Sequence, residues 1–220
     1  MVNLKIMKNG ITLLIIVCSF SIQLFSQKKE FRLGMSAAVN YSNAYINGFG
    51  DLNPGLGYLI STDISFSINK NFFIQTGLGY EINRFSLRYT DRINNEYEHQ
   101  YRLSNINLPL MVRFTTNGKI RFFANVGAQI QNAYKPKFTI TDNSNGEVTE
   151  SYSILYKTGL GAILGLGISS PIGKNYFSKI ETRAYQQINS LYGDKRSIAG
   201  RAYSVAIVLS FSRRIIKGEE

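Results

Sequence analysis

The chain has 220 residues, a formal net charge of +11 and one cysteine, Cys18. That length suits one ordinary domain, and a lone cysteine near the N-terminus leaves the rest of the chain without a disulfide framework or a cysteine metal site. The positive charge favours anionic partners such as lipid phosphates.

The first segment has the features of a signal peptide. Lys5 and Lys8 form a positive start, Ile11 to Phe25 is apolar, and Ser26 is a small residue at the end of that stretch. We therefore expect residues 1–26 to be cleaved on export. The alternative is an uncleaved anchor helix, for which the apolar run is barely long enough. Nucleic acid is not an expected partner of an exported chain.

From Phe31 onward, apolar residues recur at every second position, which is the period of a β-strand with two unlike faces. No segment of the exported part has a helical pattern. The alternating segments cover about residues 31–41, 56–68, 72–83, 105–114, 122–134, 152–168, 176–189 and 203–211.

The connections alternate in length. The long ones fall around residues 42–54, 89–100, 135–151 and 190–200, and the short ones around residues 69–71, 116–119 and 170–175. Outer-membrane barrels have long extracellular loops and short periplasmic turns, and an even strand number returns both termini to the periplasm. The sequence therefore predicts an all-β fold, an eight-stranded antiparallel up-and-down transmembrane β-barrel over residues 27–211. Residues 212–220 are expected to form a short basic and polar periplasmic tail.

Alternation alone does not distinguish a membrane barrel from a soluble, lipocalin-like barrel with an apolar cavity, but two further features do. The polar face is rich in glycine, which suits a crowded eight-stranded lumen better than an exposed strand face. The apolar face carries aromatic residues at both ends, as expected of interfacial girdles. Those at the short-turn end are Phe31, Phe72, Phe114, Phe122, Tyr176 and Phe211, and those at the long-loop end are Tyr41, Tyr58, Tyr80, Tyr134, Tyr152 and Tyr203.

Charged residues also fall on the glycine-bearing face, and a narrow lumen cannot hydrate all of them as a surface would. An unpaired buried charge is costly, so we expect each carboxylate to contact one or more cations and the set to plug the barrel. The predicted luminal charge network consists of Arg32, Asp63, Glu81, Arg113, Lys157, Lys179, Glu181 and Arg183.

Several strands resemble those of the Bacteroidetes-type outer-membrane β-barrel family, often labelled PorT-like, and more distantly the eight-stranded OmpA and OmpX barrels. The resemblance covers the whole exported chain. It rests on Ile106-Asn107-Leu108-Pro109-Leu110, the glycine-rich Gly159 to Gly167, Glu181-Thr182-Arg183-Ala184-Tyr185 and the last alternating strand. It implies that the barrel tolerates Pro109, which cannot donate to a strand ladder, and it implies a part in protein secretion.

The only histidine, His99, follows Glu96 and Glu98 in the second long connection, where a metal site or the base of a barrel esterase is conceivable. Small outer-membrane lipid A deacylases place a serine two residues after their histidine, and here Tyr101 stands there. We therefore interpret His99 as a solvated residue and expect no catalytic residue, cofactor site or metal site.

The third long connection offers oxygen ligands, but their spacing does not match a calcium loop. Asn145-Gly146 instead favours a type I′ turn, which lets the fifth and sixth strands continue as a hairpin above the membrane.

Basic residues crowd the extracellular end, where they lie within reach of lipopolysaccharide phosphates or form a solvated rim. They are Arg84, Arg88, Arg92, Arg102, Lys135, Lys137, Lys195, Arg196 and Arg201.

The sequence thus predicts a non-enzymatic outer-membrane protein with a plugged lumen, acting in envelope structure, adhesion, or secretion and assembly. Its expected partners are outer-membrane lipid, lipopolysaccharide and proteins that meet the extracellular loops. The alternatives are an outer-membrane enzyme acting on lipid or lipopolysaccharide, and a narrow channel.

Overall fold

The computed structural model describes residues 30–46, 52–90, 96–134, 137–142, 147–152, 158–189 and 200–216. Within these ranges the chain forms antiparallel strands, and no helix there is long and apolar enough to cross a membrane. The strands are β1 Phe31–Ile46, β2 Leu52–Ser67, β3 Phe72–Thr76, β4 Gly79–Thr90, β5 Glu96–Thr115, β6 Arg121–Ala133, β7 Lys137–Asp142, β8 Glu147–Tyr152, β9 Thr158–Ile172, β10 Tyr176–Gln187 and β11 Gly200–Ile216.

The sheet closes into a ring because β1 pairs with both β2 and β11. Around the ring, β2 pairs with β3 and β4, these pair with β5, and the order continues through β6, β9 and β10 back to β11. Because β3 and β4 together make one crossing, the described strands form a closed ring of eight. The predicted eight-stranded barrel is confirmed.

The third crossing is interrupted opposite Pro109. Thr76 pairs with Leu110 and Gly79 with Asn107, so the break between β3 and β4 faces the proline. Pro109 has no N–H to donate, and its carbonyl oxygen instead accepts a hydrogen bond from Thr76 Oγ1 at 2.8 Å. The barrel therefore accommodates the proline by opening one ladder locally.

The two faces of the wall are distributed as the glycine pattern predicts. Polar and glycine residues point into the lumen, while leucine, isoleucine and valine side chains are exposed on the outside, where lipid replaces water. One outward position departs from the alternation. Ile82 has an exposed fraction of 0%, and it pairs with Tyr58 beside a register shift in β2.

Aromatic rings pair across neighbouring strands at the short-turn end. The ring centroids of Phe31 and Phe66 are 5.0 Å apart, and those of Phe72 and Phe114 are 5.2 Å apart. Tyr80, on the opposite girdle, comes eight positions after Phe72 in the chain. At about 3.4 Å per residue and a tilt of about 40°, the band between them is roughly 20 Å tall, close to that of an outer-membrane barrel.

Several strands extend further than the alternation indicates. β2 begins at Leu52 and β5 at Glu96, so parts of the predicted loops 42–54 and 89–100 are strand, including His99. β7 and β8 form the predicted hairpin above the membrane, although its turn at Asn145-Gly146 lies outside the described residues. β11 continues to Ile216, past Phe211, so Ser212 to Ile216 belong to the barrel wall and not to a tail.

Candidate functional site

The lumen brings together seven of the eight charged residues selected from the sequence. Each of the seven is buried, with a relative exposure of 6% or less. They are Arg32, Asp63, Glu81, Arg113, Lys179, Glu181 and Arg183. Lys157 lies outside the described residues.

One ion pair spans the lumen between non-adjacent strands. Lys179 Nζ on β10 lies 3.1 Å from Asp63 Oδ2 on β2, and β11 and β1 separate these strands in the wall. Ser36 donates a second hydrogen bond to Asp63 Oδ1 at 3.3 Å. Both charged side chains are at most 5% exposed, so the ion pair replaces the water that would hydrate each charge at the surface.

A second cluster surrounds Glu181 in the middle of the lumen. Arg183 donates to it through Nε at 3.0 Å and Nη2 at 2.9 Å, a bidentate pair within one strand. Asn125 Nδ2 donates to Glu181 Oε1 at 2.9 Å, and the Asn125 side-chain oxygen accepts from Arg113 Nε at 2.9 Å. Gly165 makes room for this cluster, because a Cβ there would overlap the Glu181 carboxylate.

The periplasmic end is closed by stacked cations and rings. The Arg32 guanidinium lies over the Phe177 ring at 3.8 Å and the Phe73 ring at 4.9 Å, in cation–π geometry. Glu30, just before β1, accepts hydrogen bonds from Arg32 and Arg214. Burial alone would raise the pKa of the Glu30 carboxyl, but these two guanidinium groups outweigh it and hold the pKa below its ordinary value.

Glu81 departs from the expectation that each luminal carboxylate contacts a cation. Its carboxylate accepts hydrogen bonds from the side-chain amides of three residues. Asn40 donates at 2.8 Å and Gln131 at 3.1 Å, and Asn107 is the third donor. No Lys or Arg nitrogen of the described residues lies within 4 Å of it. Charge alternation along a strand identifies luminal carboxylates, but it does not show which neighbouring amides converge on them.

This geometry predicts a moderate effect for Glu81→Gln. The variant leaves no cation unpaired and keeps one acceptor oxygen, so it should lower the free energy of unfolding by about 1–3 kcal/mol, the range for imperfectly satisfied buried polar groups. Urea unfolding of the refolded barrel in detergent or lipid measures the change. A loss of about 3–5 kcal/mol would instead indicate that a buried ion pair had been broken.

Above Glu81, towards the extracellular end, the lumen is filled by an apolar layer that the sequence analysis did not predict. The Phe85 and Tyr101 rings stack with centroids 5.0 Å apart. The register shift between Pro54 and Tyr58 turns the start of β2 so that Leu52 packs against the layer. The buried members are Ala44, Phe85, Leu87, Tyr101, Leu103 and Ala202. The inward parity of Phe85 and Leu87 after Glu81 was the signal that could have revealed it.

A model of the family described as "Outer membrane protein beta-barrel domain" matches residues 25–193, most of the chain. The chain belongs to this outer-membrane β-barrel family. It is an outer-membrane protein, and no curated protein matches it.

The chain is similar to solved structures of outer-membrane barrels at low identity. OprG from Pseudomonas aeruginosa is 7% identical over 86% of this chain and 97% of its own, with a TM-score of 0.50. Neisserial surface protein A is 9% identical over 86% of this chain and 100% of its own, with a TM-score of 0.48. The outer membrane enzyme PagL is 8% identical over 79% of this chain and 97% of its own, with a TM-score of 0.36. At 7% identity the likeness to OprG concerns the fold and not the activity.

His99 lies in β5 of this outer-membrane barrel, not in a loop, and its side chain is half-buried. Burial lowers the pKa of the imidazole below its ordinary value, which favours the neutral form at neutral pH. In the part of the chain that the structure describes, no three His, Cys, Asp or Glu side chains are grouped so that they could hold a metal ion.

Proposed function

We propose that the protein is a non-conducting, non-enzymatic barrel that acts through its extracellular surface in envelope structure, adhesion, or secretion and assembly. The observation that carries this proposal is the filled lumen, with ion pairs at the levels of Asp63 and Glu181 and the apolar layer above them. An eight-stranded interior is only just wide enough for side chains.

Energetic reasoning also favours a closed barrel over a narrow channel. A hydrated ion moving through the lumen would have to separate Lys179 from Asp63 and then pass the stacked Phe85 and Tyr101. Breaking a buried pair leaves an uncompensated charge. The one polar side-chain group among the six buried members of the apolar layer, the Tyr101 hydroxyl, is too few to replace the ion's hydration shell. Both steps oppose conduction.

The outside of the barrel offers a surface for partners. Four strands continue beyond the tyrosine girdle, where β4 pairs with β5, β5 with β7 and β7 with β8. We call this the projecting sheet, made of residues 84–90, 96–102, 137–142 and 147–152. The far end of this sheet lies beyond the lipid head groups and suits contact with another protein. The resemblance to PorT-like barrels favours a secretion component among the three roles.

The proposal predicts that the projecting sheet is needed for function and that His99 is not. Replacement of residues 137–152 by a short Gly-Ser linker should abolish the phenotype that gene deletion affects, whether detergent resistance, attachment or secreted-protein profile. His99→Ala should leave that phenotype unchanged.

Complementation of a deletion strain measures both effects. The unboiled-versus-boiled gel mobility of each variant shows whether its barrel has folded. Full function without the hairpin would contradict the surface role, and a null phenotype from His99→Ala in a folded barrel would favour the lipid-modifying enzyme.

A further inference from the structure

Two arginines stand directly opposite each other on the outer face of the projecting sheet. Arg84 on β4 pairs with Arg102 on β5, and Arg102 pairs in turn with Lys137 on β7. We call the two arginines the basic row. Like charges directly opposite each other destabilise a strand pair unless something neutralises them. No carboxylate of the described residues pairs with either arginine, whose side chains are exposed.

The second row along from the basic row, on the same face, shows how the chain neutralises a cation where it supplies its own partner. Arg88 pairs with Glu98 across the same two strands, and its Nη2 lies 3.4 Å from the Glu98 carboxylate. The basic row has no such acid opposite it. An external anion would neutralise these two exposed cations.

The backbone around Arg84 is held in place by a local irregularity. The register shift in β2 leaves Arg84 without a ladder partner in that strand. Ser42 Oγ instead donates a hydrogen bond to the Arg84 C=O and accepts one from its N–H, each at 2.9 Å. Gly55 permits the close approach, because a Cβ there would lie 2.7 Å from the Arg84 carbonyl oxygen. Arg84 thus starts from a fixed backbone position, which lowers the entropic cost of holding a ligand.

A surface cavity of about 350 Å³ opens beside the two arginines. Besides Arg84 and Arg102, its lining includes the hydrogen-bonding side chains of Asn53, Ser86, Gln100 and Thr139. Glu98 also lines the cavity, and Arg88 offsets the charge of its carboxylate. The four hydrogen-bonding residues follow one another across β2, β4, β5 and β7 as paired residues, so they form a polar row parallel to the basic row. Guanidinium forks beside hydroxyl and amide groups match the oxygens of a phosphate group.

The level of the cavity relative to the membrane surface indicates the source of that phosphate. Tyr58 of the extracellular girdle pairs with Ile82, two residues before Arg84 along β4. Two residues advance a strand by about 7 Å, so the basic row lies just above the girdle, at the level of lipid head groups. The row also faces outward, towards the surrounding lipid.

We propose that the basic row binds a phosphate of a phosphorylated glycolipid in the outer leaflet. Arg84 and Arg102 hold the phosphate by charge-assisted hydrogen bonds, and the polar row receives the adjoining sugar. This site goes beyond the proposed function, because lipid binding there does not depend on whether the lumen conducts.

The test compares Arg84→Gln/Arg102→Gln with a control that loses the same charge at the other end of the barrel, Lys119→Gln/Lys174→Gln. Both control lysines are exposed in short turns. The probes are bisphosphorylated lipid A and the same lipid after phosphatase treatment, added to the purified full chain in detergent and measured by native mass spectrometry. Gel mobility before and after boiling confirms that each barrel is folded, and Arg84→Lys/Arg102→Lys provides a charge-preserving variant.

We expect the affinity of the wild type and of the control for phosphorylated lipid A to be at least about tenfold higher than that of the arginine-to-glutamine variant. The lysine variant should bind at an intermediate level. Equal binding of phosphorylated and dephosphorylated lipid, or equal loss in the control, would overturn the proposal. Displacement of lipid A by equimolar inorganic phosphate would overturn the lipid assignment and indicate a site for free phosphate.

Discussion

Replacement of Glu181 by alanine will lower the free energy of unfolding of the refolded barrel by about 3–5 kcal/mol, the range for breaking a buried ion pair. The Glu181 carboxylate, 1% exposed, is the acceptor for both Arg183 and Asn125. Without it, Arg183 remains in the lumen with no carboxylate against its guanidinium. The loss comes mainly from that unpaired charge and not from the missing methylene groups.

Urea unfolding in detergent or lipid measures the effect, with Glu96→Ala as the matched control. Glu96 is an exposed carboxylate on β5, so its removal should change the free energy of unfolding by less than about 1 kcal/mol. A similarly small change for Glu181→Ala would show that water screens the luminal pair.

Asp63→Ala is expected to have an effect of the same size, about 3–5 kcal/mol, because it leaves the Lys179 ammonium buried. The positive charge of Arg113 also acts on Lys179, so the remaining cation has a repulsive neighbour as well as no partner. Asp63 therefore stabilises the fold chiefly by compensating the buried charge of the Lys179 ammonium.

The double variant Asp63→Ala/Lys179→Met separates this explanation from simple loss of packing. Replacing a whole buried pair by apolar groups is often neutral or stabilising, so the double variant should recover much of the stability lost in Asp63→Ala. Additive losses from the two single changes would contradict the ion-pair account. The same urea unfolding experiment, run on all four proteins, gives the coupling energy.

The barrel and the orientation of its wall could be predicted because both depend on a period of two. Each of the eight alternating segments from Phe31 to Phe211 repeats the contrast between a lipid face and a crowded lumen, so the pattern is independent of long-range pairing. The same parity assigned Asp63, Lys179 and Glu181 to the inside, where the structure has them.

What the sequence did not reveal depends on contacts between distant strands. The amides around Glu81 come from β1, β5 and β6, and nothing local to Glu81 indicates them. The register shift in β2 depends on Gly55, Gly57 and the Ser42 hydroxyl from β1. Neither the inward turn of Leu52 nor the hydrogen bonding of the Arg84 backbone therefore follows from alternation. Glu30 precedes the first alternating residue, so alternation does not indicate its place at the end of the lumen.

Single-channel recording of the wild-type barrel in a planar lipid bilayer tests the filled lumen most directly. Insertion is verified in the same preparation by the shift in gel mobility on boiling, so that a silent membrane is not mistaken for a closed barrel. We predict no steady ion conductance, because the Lys179–Asp63 pair and the stacked Phe85 and Tyr101 occupy successive levels of the lumen. Steady ohmic conduction by inserted wild-type protein would show a continuous water path and contradict the account.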